Sequence, residues 1–372
     1  MTSLHGDVLT PTGLIRGRID VDASSGRIAA ISGEGISEAA ARADAQALLI
    51  PGFVDLHVHG GGGADIMDGD EAAQTVAATH LRSGTTTLLA TTMTAPLTDL
   101  EQAFAGIARV SRRQDAAAAF IAGVHLEGPF ISAAKLGAQP DFTRAVTLDE
   151  VAALHAIAPI RVLTLAPEVA GQTSVIAALV AMGIRVQLGH SDASYEASIA
   201  ALDAGASGFT HLFNAMSGLH HRAPGMAGAA LAHAHHAEII PDLLHVHPGA
   251  IRVALRSIAG LYCVTDSTAA ASMPDGDYRL GRQQVTRCMG GVRLADGTLA
   301  GSVLTMDQAF RNLVNVVGLD LAEASRHNST IAADYLGLSD RGRLVAGAVA
   351  DVLTLDRDLN LRSVMRAGRV CD

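Results

Sequence analysis

Asp55, His57 and His59 stand on alternate positions in PGFVDLHVHGGGGAD (51–65), at the end of an apolar run. Alternate residues of a strand share one face, so both imidazoles would point the same way. Four further apolar runs carry groups of the same kind at their carboxyl ends. Glu127 closes FIAGVHLE (120–127), His190 closes IRVQLGH (184–190), His211 lies in GFTHLFN (208–214), and Asp266 closes LYCVTD (261–266). Four imidazoles and two carboxylates are a donor set that zinc or another divalent transition metal favours. The set is large enough for two ions. Glu127 would bridge them, with His57, His59 and Asp266 on one side and His190 and His211 on the other. Lys135 is the sole lysine and follows the third run in a loop, so a carboxylated-lysine bridge is not expected. Such metals lower the pKa of water and polarise carbonyl oxygens. Asp266 would take the proton of that water and pass it to a leaving group. The expected chemistry is hydrolysis of an amide or related bond, with no Ser-His-Asp arrangement.

Other polar groups read differently. Gly60 to Gly63 open no GxGxxG helix start and precede no P-loop lysine, so they give the chain room rather than cradle a phosphate. Arg222, in the loop HHRAPG (220–225), offers a fork suited to phosphate. His220, His221, His233, His235 and His236 lie in or near a loop and a helix, and read as surface or interface residues. His5, His80, His155 and His327 get the same reading. Glu168, at the end of the fourth run, either shapes the site or binds substrate. His245 belongs to the seventh run.

The elements that must hold these residues follow from periodicity. Eight strand-like runs are expected at 53–59, 85–93, 120–127, 160–168, 184–190, 208–214, 238–246 and 261–266. Most are separated by Ala-rich amphipathic stretches such as 70–84 and 172–183, which are good helix formers. Strand–helix alternation repeated eight times predicts an α/β chain folded as a (β/α)8 TIM-like barrel, with active-site residues at the strand ends. Residues 14–33 alternate around Ser-Ser-Gly as a hairpin does, and 342–370 hold similar short runs. The two ends are expected to meet in a small β-sandwich, residues 1–49 with 343–372, leaving 50–342 as the barrel. Residues 267–301, rich in Gly and Asp, read as a loop or β excursion after strand eight. Helices are expected near 303–317 and 321–336.

Composition narrows the class. The chain has 372 residues, 49% hydrophobic and 17% charged, with a net charge of −10. That balance, with no basic run, argues against nucleic-acid binding. No apolar run reaches membrane-spanning length. The N-terminus lacks the basic and apolar regions of a signal peptide. Three cysteines far apart suggest no disulfide framework, and a cytoplasmic location is expected.

Nine blocks together resemble the N-acetylglucosamine-6-phosphate deacetylases of the amidohydrolase superfamily. They are PGFVDLHVHGGGGAD, HLEGPF (125–130), GAQP (137–140), LGHSDA (188–193), THLFNAM (210–216), APGMAG (223–228), LHVHP (244–248), VTDS (264–267) and LAGS (299–302). The resemblance implies a barrel with a β-sandwich, a homodimer, and removal of acetate from an amino-sugar phosphate in amino-sugar catabolism or cell-wall recycling. It makes Glu127, His190 and His211 the shared metal ligands and Asp266 the catalytic aspartate. It assigns Asn214, Ala215, Arg222 and His245 to the sugar phosphate, one or two of them reaching it from the neighbouring subunit. His125, Leu299 and Ala300 are further substrate candidates. So is Gln139, at a position where some members have histidine. Members with amides in place of His57 and His59 hold one metal, and members that keep both histidines can hold two. One or two divalent ions are therefore implied here, zinc first, with iron or another transition metal as the alternative. Other substrates compatible with the blocks are N-acetylgalactosamine 6-phosphate, N-acyl amino acids and cyclic amides. A non-catalytic relative is disfavoured, since Glu127, His190, His211 and Asp266 are all intact.

Overall fold

The computed structural model describes residues 1–44, 46–113 and 115–371. The eight expected runs form eight parallel strands: Phe53–Val58, Thr85–Thr92, Phe120–Glu127, Ile160–Leu165, Arg185–Leu188, Gly208–Phe209, His236–Ile239 and Gly260–Cys263. The first six lie side by side in chain order, and the last two pair with each other. Backbone hydrogen bonds complete the ring. Leu212 N donates to Glu238 O at 2.9 Å between the sixth and seventh strands, and Asp266 N donates to His57 O at 2.9 Å between the eighth and first. Every residue of the first two strands is buried. Parallel strands lined by side chains inside and by helices outside have no wet face, which explains their continuous apolar and β-branched character.

The intervening helices follow the expected pattern. Leu97–Arg113 buries Leu100, Ala103, Phe104, Ile107 and Val110, one stripe at helical spacing. Thr147 and Ser194 cap Leu148–Ile157 and Tyr195–Asp203 by accepting from Glu150 N and Ala197 N. After the eighth strand, Gly276–Leu280, Gln283–Cys288 and Gly291–Arg293 form a three-stranded antiparallel excursion. It packs Leu280, Val285, Val292 and Ala300 against Met93 and Ala270. Helical segments then span Met306–Val317 and Leu321–Tyr335, each with a π-type turn.

The chain ends share one seven-stranded sheet. In spatial order its strands are Arg369–Cys371, Leu361–Arg366, Val352–Leu355, Leu48–Pro51, Thr2–Thr10, Gly13–Asp22 and Arg27–Gly35. The sheet closes on itself like a small sandwich. Val8, Ile19, Val21, Ile28, Leu49, Val352 and Met365 face one core, and Ile28 N donates to Ala348 O. Leu48–Pro51 is central: it pairs with the N-terminal strand on one side and the C-terminal segment on the other. Two residues later the first barrel strand begins. No described helix is long and apolar enough to cross a membrane.

Candidate metal centre and active site

The six proposed ligands come together at the C-terminal mouth of the barrel. His57 Nε2 lies 3.1 Å from His59 Nε2, and His190 Nε2 lies 3.0 Å from His211 Nε2. Glu127 stands between the two pairs. Its Oε1 is 3.1 Å from His190 and 3.0 Å from His211, and its Oε2 is 3.1 Å from His59. Asp266 Oδ1 lies 3.4 Å from His57 Nε2 and 3.3 Å from His59 Nε2. Nitrogens bound to one tetrahedral zinc at about 2.0–2.1 Å stand about 3.3 Å apart, so these spacings suit shared coordination.

Backbone geometry aims the groups inward. His190, His211 and Asp266 have φ of 47°, 28° and 49°. This left-handed conformation is costly for residues with a Cβ and persists where the surroundings impose it, often at functional sites. The glycines after His59 serve close packing. A Cβ on Gly60 would lie 2.4 Å from Ala269 N, and one on Gly62 would lie 2.3 Å from Thr79 Oγ1.

The hydrogen bonds decide the tautomers. His57 Nδ1 is 2.9 Å from Glu238 Oε2, and His190 Nδ1 is 2.8 Å from the carbonyl of Lys135. Both partners only accept, so each Nδ1 carries the hydrogen and leaves an Nε2 lone pair facing the cluster when the ring is neutral. Lone pairs and carboxylates this close need a cation. Protons can serve as one. Burial disfavours charge on His57, but Glu127, Asp266 and Glu238 outweigh it and hold its pKa well above 6.5. The same contest raises His59 to about 9 and lifts His190. Burial would raise Glu127 and Asp266, yet the imidazoles hold both below the usual carboxylate range. A divalent ion fits the same need with the donors already aimed.

Sequence reasoning missed the support beneath this cluster. Glu238 is buried in the seventh strand and also receives Tyr262 Oη at 3.3 Å. Gln187 donates to Tyr262 Oη and accepts from Thr210 Oγ1, which contacts Thr164 Oγ1 and through it His125 Nε2. The available signal was a buried-type position held by an acid between Ala237 and Ile239 in the seventh strand. Asp55 has another task. It accepts from Thr265 Oγ1 at 2.6 Å, joining the first strand to the segment after the eighth, and burial pushes its carboxyl up to about 7.

A cavity of about 370 Å³ opens over the cluster. His59, Glu127, His190, His211 and Asp266 form its floor. Of the expected substrate residues, Gln139, Asn214, Ala215, His245 and Leu299 line it, as do Lys135, Met93 and Leu280. Three do not. His125 is fully buried beneath His57, with its ring nitrogens facing Leu56 O and Thr164 Oγ1. Ala300 packs into the core of the excursion. Arg222 is exposed, with Nη1 2.8 Å from His221 Nε2, beside a separate hollow lined by Asp192 and Tyr195. Glu168 shapes the mouth: it accepts from Ser191 Oγ and Asp192 N. Two histidines expected at the surface are buried. His80 contacts Gly60 O and Ser267 Oγ, behind the glycine turn, and His327 Nδ1 lies 2.6 Å from Leu261 O.

A parallel barrel with histidines and carboxylates at its carboxyl mouth defines a class of metal-dependent hydrolases, and the chain belongs to the amidohydrolase family, whose model matches residues 48–371. Its relatives are more particular. It is 38% identical over 335 residues to N-acetylglucosamine-6-phosphate deacetylase of Lysinibacillus sphaericus, covering 87% of this chain and 85% of that protein. It is 39% identical over 354 residues to N-acetylgalactosamine-6-phosphate deacetylase of Escherichia coli O157:H7, covering 93% of each. The structure resembles a variant of N-acetyl-D-glucosamine-6-phosphate deacetylase from Mycobacterium smegmatis in complex with N-acetyl-D-glucosamine 6-phosphate. The TM-score is 0.91 at 38% identity, over 99% of this chain and 98% of that one.

Proposed function

We propose that this protein hydrolyses the acetamide of N-acetyl-D-glucosamine 6-phosphate, releasing acetate and leaving D-glucosamine 6-phosphate. The observation that carries this is the Glu127-centred cluster beneath a cavity of sugar-phosphate size, in a chain whose relatives deacetylate amino-sugar phosphates. Glu127, His190 and His211 would hold one divalent ion, and His57, His59 and Asp266, with Glu127 shared, a second. Zinc suits this mixed nitrogen and oxygen set. A bound ion supplies a Lewis acid and lowers the pKa of water.

The chain's own residues do the rest. Asp266 borders the cavity next to His57 and His59, where an attacking water would stand. Its carboxylate takes the water's proton as the new C–O bond forms. It returns that proton to the amide nitrogen as the C–N bond breaks, so the amine leaves neutral. Asn214, Ala215, His245 and Leu299 would position the sugar. Asp242 sits 2.7 Å from His245 Nδ1. Against the opposing effect of burial, it raises the pKa of His245, favouring a cation for the phosphate. Arg222, outside its own protomer's cavity, would serve the substrate of the partner in a homodimer. The product fits amino-sugar catabolism or cell-wall recycling in the cytoplasm.

A second reading, N-acetylgalactosamine 6-phosphate, is favoured by the 39% identical E. coli relative. Acetate release by the zinc-loaded protein from both N-acetylhexosamine 6-phosphates and from unphosphorylated N-acetylglucosamine separates these readings. The proposal expects the highest kcat/KM on the glucosamine compound. Preference for the galactosamine compound selects the second reading. Equal rates with and without phosphate overturn both.

A further inference from the structure

Gln139 follows the third barrel strand in the loop that borders the cavity, and both ends of its amide are committed. Gln139 Oε1 accepts from Thr94 N at 2.7 Å, and Gln139 Nε2 donates to Glu127 Oε2 at 2.6 Å. Both neighbours demand the same orientation. The backbone N–H can only donate and the carboxylate can only accept, so a flipped amide would lose both bonds. Only 5% of the residue's surface is exposed. Glu127 therefore has a fixed rotation, with Oε1 close to His190 and His211 and 3.5 Å from His57 Nε2, and Oε2 between His59 and the amide.

Resting on the metal-centre reading above, we infer that Gln139 is a positioning residue that locks the Glu127 carboxylate between the two histidine pairs and makes the two metal positions unequal. Oε1 faces its histidines with no amide competing for its lone pairs. Oε2 already accepts a short hydrogen bond, which draws electron density from the side that faces His59. An ion between His190 and His211 would thus meet the uncompeted oxygen at close range, whereas one beside His59 would meet the oxygen that the amide already holds. Metal binds first at the His190–His211 position and more weakly at the other. A residue that only packs here, or only touches sugar, would produce no such split. Groups that orient a metal ligand typically contribute about 10–100-fold in affinity.

The test uses cobalt(II), whose d–d absorbance reports coordination, titrated into metal-stripped protein in competition with a chelator. The wild type should bind in two steps of different affinity. In Gln139→Leu the tighter step should weaken at least tenfold, the gap between the steps should shrink, and the d–d spectrum should change. Gln139→Asn keeps the amide but is one carbon too short to span both partners. It should weaken the tight step as well, and it replaces the leucine variant if that one does not fold. The difference in melting temperature between cobalt-loaded and metal-free protein adds a readout that a merely structural role would not move. Metal binding stabilises the folded state by an amount that grows with the logarithm of affinity, so the rise in melting temperature on adding cobalt should be smaller in the variants. Unchanged cobalt affinity and spectrum, or equal melting losses in metal-free and loaded forms, would overturn the role of Gln139. A wild type that binds no cobalt would instead overturn the metal reading on which it rests.

Discussion

The second nitrogen of each imidazole decides what the first one can do. His57 and His190 each commit Nδ1 to an acceptor, so both present Nε2 to Glu127. His125 looks equivalent in sequence, two residues before Glu127, yet both its nitrogens are engaged. Burial, with the charge of His57, pushes its pKa down to about 4. It is a spacer under His57 and takes no part in the cavity. Asp266 differs from Glu127 in meeting only the His57 and His59 side of the cluster, and the proposed function gives it the proton transfer. Asp266→Asn should therefore keep most of the bound metal while lowering kcat by about 10²–10⁴-fold, the usual range for a lost general acid-base group. Metal analysis alongside acetate-release kinetics checks this, and near-normal turnover in that variant would remove Asp266 from the mechanism.

Strand ends deliver the candidate ligands, and connections between them shape the access. The excursion over 276–293 contributes Leu280 to the cavity and is fastened to the barrel mouth by Gly281 N, which donates to Asp65 Oδ2 at 2.8 Å. Arg282 pairs with Asp99 beside it. Burial pushes the Asp65 carboxyl up to about 6, against the bonds it accepts from Gly281 and Met67. The unfolded carboxyl titrates near about 3.9. Between about pH 4 and 6 the folded protein keeps a proton that the unfolded chain has lost. The stability from this residue is therefore full below about pH 4 and falls as pH rises through 6. Over that window the change amounts to about 3 kcal/mol. Asp65→Asn should remove this slope, so denaturant unfolding at pH 4.5 and pH 7 should differ less in the variant than in the wild type. Parallel pH profiles for the two proteins would contradict the assignment.

The whole molecule is tied together through its ends. Leu48–Pro51 takes partners from both termini and then feeds the strand that carries His57. Deleting residues 343–372 strips one edge from that strand and exposes Leu49 and Ile50, both buried. The truncated chain should neither melt cooperatively nor bind cobalt, as circular dichroism and metal titration would show. A truncated chain that did both would make the terminal sheet an accessory.

Much of this was legible in the sequence. Period-two apolar runs interrupted by Ala-rich helical stretches announce strands and helices, because side-chain direction repeats with the backbone. Eight such alternations leave a parallel barrel as the natural way to bury every strand on both faces. Polar residues at the ends of those runs therefore marked the site, and His57, His59, Glu127, His190, His211 and Asp266 do converge. What the tertiary structure alone decided was partnership across the barrel. Glu238 reaches His57 from a strand 181 residues away in sequence, and Gln139 turns to Glu127 instead of outward. His80 and His327 are drawn inside, while Arg222 stays out of its own cavity. Periodicity records which way a side chain leaves its own element. It does not record what waits there, because hydrogen-bond partners and burial are set by segments distant in the chain.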